Sequence, residues 1–260
     1  MSKIKVRDLF LLGVFFALGA CSQSEQPIEV SEPGQSDASS SAATDTPAAA
    51  TAGLQLQALE WRNIGPFNGG RGTTVVGHPT DKMVFYFGHS SGGLWKTEDA
   101  GTIWEQVGAG QFNYASVGAM AISESNPDIM YVGLGEPQLR QSVSWGDGMY
   151  KSVDGGVTWE HIGLDDALHI ARVRVHPYNP DIVYVASMGH AFGPNEEKGV
   201  FRTQDGGESW ERVLFKNEGT GAIDLIMSPD DPNLLFAALW EFERKAWGAK
   251  TGGPDSGIWR

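Results

Sequence analysis

Residues 151–159 read KSVDGGVTW, and the same figure stands at 96–104 as KTEDAGTIW and at 202–210 as RTQDGGESW. Each copy is Ser/Thr-x-Asp-x-Gly-x-x-Trp. An aspartate so close to a glycine is the composition of a tight turn, its carboxylate accepting hydrogen bonds from backbone N–H groups of its own loop. Gly101, Gly156 and Gly207 then supply the positive φ that a Cβ would oppose. Trp104, Trp159 and Trp210 open the strand that follows and are expected to pack inward. On this reading Asp99, Asp154 and Asp205 hold turns together and neither catalyse nor bind metal. A calcium loop would need further carboxylates at alternate positions and a closing glutamate, which SVDGGVTWEHIG lacks.

Working outward, each cassette belongs to a longer unit. Four segments combine an apolar strand, a proline-containing turn and a second apolar strand: VVGHPTDKMVFYFG, MAISESNPDIMYVG, VRVHPYNPDIVYVA and LIMSPDDPNLLFAA, beginning at residues 75, 120, 173 and 225. Tyr86, Tyr131, Tyr184 and Phe236 align, in steps of 45, 53 and 52. A glycine-led strand follows in each (GLWK, GMYK, GVFR, GIWR), and in the first three copies the cassette and a last strand come next. Short strands at this spacing, without helical periodicity, predict an all-β chain: a β-propeller of four-stranded antiparallel blades. About three and a half blades are present, an incomplete ring. LEWRNIGP (59–66) reads like a fourth strand without its first three, and SGIWR stops where a fourth cassette would begin. Truncation is the preferred expectation, with a chain that simply ends on a short strand as the other.

The cassette resembles the Asp-box, or BNR repeat, of sialidases, sortilin-type receptors and several glycosidase propellers. In that family the box is structural and lies on the face away from the ligand. From Glu60 to Arg260 the chain is similar to the opening portion of large bacterial secreted proteins with sortilin (VPS10) N-terminal-like propellers, often labelled glycosyl hydrolase. Sortilin-type relatives imply binding of peptide or protein rather than chemistry. Xyloglucanase-type propellers are similar in FYFGHSSGGLWK but carry an aspartate where this chain has Ser90, and the Phe-Arg-Ile-Pro-like start of sialidases is absent from WRNIGP, although Arg62 is retained.

Composition narrows the partners. With 19 basic and 32 acidic residues the net charge is −13, and no Lys/Arg cluster offers a footprint for nucleic acid. The N-terminus carries Lys3, Lys5 and Arg7, then an apolar run ending at Cys21, the only cysteine. Residues 1–20 read as a secretory signal too short to span a membrane. LGAC (18–21) resembles a lipobox, which implies lipidation of Cys21 and anchoring in the cell envelope, and Ser22 resembles the outer-membrane sorting pattern of Gram-negative lipoproteins. Residues 21–53, rich in Ser, Ala, Thr and Pro, read as a disordered tether. The folded domain is then 54–260.

In such blades the B–C and D–A connections open on one face, opposite the cassettes. The residues expected there are Arg71, His89, Tyr114, Arg140, Trp145 and His169 from the first two units, then Arg172, His190, Phe192, Trp240 and Arg244. Mixed arginines, carboxylates and aromatics suit an extracellular glycan, peptide or protein, or alternatively satisfy one another at the ring centre. Glu136, Asp166 and Glu241 are the candidate carboxyls for glycoside hydrolysis, the alternative to binding. GHSSG (88–92) fits a nucleophile elbow in letters only, because strand runs into strand there. The six histidines show no ligand-type spacing, so neither metal nor cofactor is expected.

Overall fold

The computed structural model describes residues 71–260. The signal segment, Cys21, the tether and the strand-like stretch at 59–66 lie outside the described residues. Within them every regular element is a β-strand, and the strands form four antiparallel sheets of four. The first holds β1 (Gly72–Gly77), β2 (Phe85–His89), β3 (Gly93–Thr97) and β4 (Glu105–Val107). The second holds β5 (Val117–Ile122), β6 (Met130–Leu134), β7 (Met149–Ser152) and β8 (Glu160–His161). β9 (Ile170–His176), β10 (Asn179–Ser187), β11 (Gly199–Thr203) and β12 (Glu211–Leu214) make the third. The fourth has β13 (Thr220–Met227), β14 (Leu235–Lys245), β15 (Gly248–Thr251) and β16 (Gly257–Trp259). Strand order follows chain order in the first three sheets, and the first strands of successive sheets lie side by side. These are consecutive blades of a β-propeller.

Period-two alternation builds the core. Met130 and Val132 point between sheets one and two, whereas Tyr131 points between sheets two and three. Four sheets therefore enclose three apolar layers, the third formed by Ala186, Met188, Leu225, Leu239, Phe242 and neighbours. Backbones approach closely at the inner strands. A Cβ on Gly118 would stand 2.2 Å from the carbonyl oxygens of both Gly135 and Ile170, so only glycine fits. The two end faces of the stack show apolar side chains, Val75 at one end and Ile226, Phe236 and Ile258 at the other.

The cassettes are the turns between third and fourth strands, as expected. Asp154 Oδ1 accepts from Ser152 Oγ (2.8 Å) and from the N–H groups of Val157 (3.1 Å) and Thr158 (2.9 Å), and Oδ2 accepts from Thr158 Oγ1 (2.6 Å). Ser152 Oγ in turn accepts from the Gly156 N–H at 2.9 Å. Asp205 repeats this with Thr203 and Ser209, and Asp99 with Thr97 and the Ile103 N–H. Four donors hold the Asp154 carboxyl down at about 2, the Thr158 hydroxyl first among them, and Asp205 is lowered for the same reason. Gly101, Gly156 and Gly207 have φ of 95°, 89° and 104°, while Ala100 takes a positive φ of 58° where the later copies have glycine.

Trp159 is 8 % exposed between sheets one and two, its Nε1 donating to Gly156 O at 3.0 Å. Trp210 lies between sheets two and three and donates to Ile162 O at 2.7 Å. Trp104 is half-buried, 6.0 Å from Phe87 between ring centres. One expectation changes. Trp240 and Arg244, expected on an interstrand connection, lie instead in a strand: β14 runs on to Lys245 and turns at Ala246–Trp247 into β15, pairing Phe242 with Thr251 and Arg244 with Ala249.

Candidate ligand-binding face

Antiparallel order puts the loops after second and fourth strands at the same end of each of the first three sheets, opposite the cassettes. That end gathers the expected residues, but many already bind one another. Arg71, at the start of β1, grips Glu136 with Nε and Nη2, one bond to each carboxylate oxygen, and Nη2 also donates to Ser142 O at 3.1 Å. The bonded carboxylate pushes the arginine up from its ordinary value. The Glu136 side chain is fully buried, and the turn is closed by its N–H to Ser144 O at 2.9 Å.

The second cluster joins the loop before β9 to the loop after β10. Asp166 Oδ1 bonds His190 Nε2 at 2.8 Å, and Oδ2 accepts from Asn195 Nδ2 at 2.7 Å. Beneath them His169 and Lys198 are buried, and neither ring nitrogen of the histidine nor the ammonium has a hydrogen-bond partner. Burial, helped by the nearby His190 and Lys198, pushes His169 down to about 4, so it is neutral at ordinary pH. Burial also lowers Lys198 to about 8 against the opposing pull of Glu243. Its ammonium sits 4.1 Å from the centre of the Phe242 ring, a cation–π contact in place of hydrogen bonds. Burial raises Glu197, assisted by Asp166 and Asp165.

The third carboxylate, Glu241, receives the Lys250 ammonium at Oε1 and the Asp255 N–H at Oε2 (3.4 Å). Glu241 and Lys250 border a cavity of about 240 Å³ with Gly193, Pro194, Gly219, Phe242 and Glu243. Among the other expected residues, Arg172 pairs with Asp224 at 2.7 Å, and Trp240 packs on Phe242 at 5.2 Å. The Arg244 N–H donates to Ala191 O, tying β14 to the loop after β10. His89 is buried against Phe87 with both ring nitrogens unpartnered, below the surface rather than on it. Tyr114, Arg140, Trp145 and Phe192 are exposed. The loops bearing Tyr114 and Trp145 are tied together by Asn113 Nδ2 to Asp147 Oδ2 at 2.7 Å.

All three candidate carboxylates therefore have both oxygens engaged. That geometry fixes the position of each carboxylate, with each oxygen accepting at least one hydrogen bond within the protein. Sequence reading missed Lys198, Asn195 and Glu197. In PNEEKG they look like an ordinary solvated loop, and nothing local marks Lys198 as buried.

No protein-family model matches the chain. A xyloglucanase of Hypocrea jecorina is 27% identical over 193 residues, 68% of this chain and 21% of that enzyme. A xyloglucanase of a Paenibacillus species is 25% identical over 191 residues, 67% of this chain and 18% of that enzyme. The chain thus spans about a fifth of the length of these curated relatives. The crystal structure of an ancestral GH74 enzyme superimposes with a TM-score of 0.51 at 19% identity, over 66% of this chain and 22% of that one. At these identities the likeness establishes architecture: the described residues are consecutive antiparallel blades of a β-propeller.

Proposed function

We propose that the loop face binds an extracellular glycan without cleaving it, on a propeller held in the cell envelope by lipid on Cys21. The carrying observation is that Glu136, Asp166 and Glu241 each have both oxygens bonded within the protein. Polysaccharide is the leading ligand class because the curated relatives are xyloglucanases. The exposed rings of Tyr114 and Trp145 support it, since amphipathic aromatics stack on sugar faces while their polar edges stay wet, and Phe192 adds an exposed apolar ring. Resemblance to sortilin-type propellers makes peptide or protein the next ligand to test. The outer membrane of a Gram-negative bacterium is the proposed location, and Cys21→Ser is expected to release the protein from the membrane fraction.

Affinity electrophoresis through xyloglucan tests the reading directly. Retardation is expected without release of reducing ends, and Tyr114→Ala with Trp145→Ala is expected to reduce it. The competing reading is a glycoside hydrolase, favoured by the relatives' activity. Hydrolysis abolished by Asp166→Asn or Glu136→Gln would replace the binding reading with that one.

A further inference from the structure

The three cassette tryptophans do not sit alike. Trp104 and Trp159 lie over their own turns, each indole N–H donating to the cassette glycine, Gly101 O at 3.1 Å and Gly156 O at 3.0 Å. A Cβ on those glycines would meet the ring first, at 3.7 and 3.4 Å. In the third cassette that place belongs to Ile162 of the neighbouring sheet, whose Cδ1 would stand 2.5 Å from a Cβ on Gly207. Trp210 turns across the junction instead and donates to Ile162 O, which leaves Gly207 O without its indole.

The chain also closes the two junctions differently. Between sheets one and two, Gln111 follows Gly108 by three residues and lays its carboxamide along the edge of the second cassette. Its Nε2 donates to Val157 O at 3.0 Å, and its Oε1 accepts from the Trp159 N–H at 2.8 Å. Phe112 packs beside it on Trp159, ring centres 5.4 Å apart. Between sheets two and three the residue three positions after Gly163 is Asp166, which is bonded instead to His190 and Asn195. The matching groups of the third cassette, Glu208 O and the Trp210 N–H, have no partner among the described residues. They border a groove of about 560 Å³ lined by Lys151, Glu160 and His161 on one side and by Glu208, Ser209 and Trp210 on the other.

We infer that this groove binds an extended peptide through a glutamine followed by an aromatic residue. The carboxamide presents a donor and an acceptor on one edge, the pair that Glu208 O and the Trp210 N–H require, and the aromatic ring packs on Trp210. Gly207 O adds an acceptor for the backbone of the peptide. Two observations select this occupant. The equivalent atoms of the preceding cassette already hold a glutamine of this chain, with a phenylalanine after it. The groove carries both signs of charge, Lys151 opposite Glu160 with Glu208 across from them, so an uncharged carboxamide enters without leaving a charge unpaired. A carboxylate in its place would have no proton to give Glu208 O.

A fluorescein-labelled peptide copying residues 109–114 (AGQFNY), titrated with the full-length chain and followed by anisotropy, tests the inference. Saturable binding is expected. Gln111→Glu made in the peptide should weaken it on the order of tenfold, the effect of one hydrogen bond lost and one acceptor covered without a partner. Amide hydrogen exchange places the contact: in the free chain the Trp210 N–H should exchange faster than the Trp159 N–H, and the peptide should slow it. Glu160→Trp, at an exposed strand position, should fill the groove and abolish binding. Absence of saturable binding, indifference to the glutamine, or a Trp210 N–H that the peptide leaves unchanged would overturn the inference. So would displacement of the peptide by a xyloglucan oligosaccharide, which would make the groove a sugar subsite, or a dimer that Glu160→Trp dissociates.

Discussion

Replacing Trp159 with alanine removes the ring that wedges sheets one and two together. A buried tryptophan takes about 150–250 Å² out of water, which at about 25 cal/mol/Å² gives roughly 4–6 kcal/mol as an upper figure. Alanine keeps the Cβ and the sheets relax in part, which sets the expected cost at about 3–5 kcal/mol. The buried indole N–H to Gly156 O is lost as well, and a carbonyl left unpaired adds about 1 kcal/mol. Trp104 occupies the same place in its own cassette but is only half-buried, so Trp104→Ala should cost about 1–2 kcal/mol. Urea unfolding followed by far-UV circular dichroism measures both, with unchanged slope showing that midpoint shifts report stability. A gap of at least about 2 kcal/mol is expected between them. Equal costs, or a cost below about 1 kcal/mol for Trp159→Ala, would refute the wedge.

The cassette glycines should separate by what surrounds them. Gly207→Ala brings a Cβ to 2.5 Å from Ile162 Cδ1, whereas at Gly156 the nearest atom is 3.4 Å away, so thermal unfolding should show the first more damaging by about 1–3 kcal/mol. Ala100→Gly should stabilise by up to about 1 kcal/mol, because the strain of a positive φ exceeds the entropy glycine adds to the unfolded chain. Asp154 lies at about 2 when folded against an ordinary 3.8, so its contribution is whole above 3.8 and is lost as pH falls through 2. Asp154→Asn should therefore flatten the stability profile in that acid window, measured by urea midpoints. Lys198 works in the opposite window. Its folded value near 8 lies below the ordinary 10.5, so the unfolded chain binds more protons between these values and stability should rise with pH there. In Lys198→Met that rise should be absent.

Local chemistry was legible from residues alone. Ser152, Asp154 and Gly156 lie within five positions, and their hydrogen bonds close inside the same turn, so the cassette carries its own instructions. The second strand of each unit, marked by Tyr86, Tyr131, Tyr184 and Phe236, was equally plain, and period two then commits its opposite faces to different layers. The β14–β15 hairpin was hidden because EFERKAWGAK is charged and interrupted, and nothing local shows that Phe242, which pairs with Thr251, is buried beneath the ammonium of Lys198.

Sequence by itself determined the repeated blade, its turns and the list of polar residues at the loop end, because each depends on contacts between neighbours in the chain. Tertiary structure alone decided what those polar residues do. Glu136 meets Arg71 from 65 positions away, and Asp166 meets His190 and Asn195 from 24 and 29. A carboxylate reads identically in sequence whether its oxygens are free or bonded. Its chemistry follows from which charge the fold brings within hydrogen-bond reach and how much water is excluded around the pair.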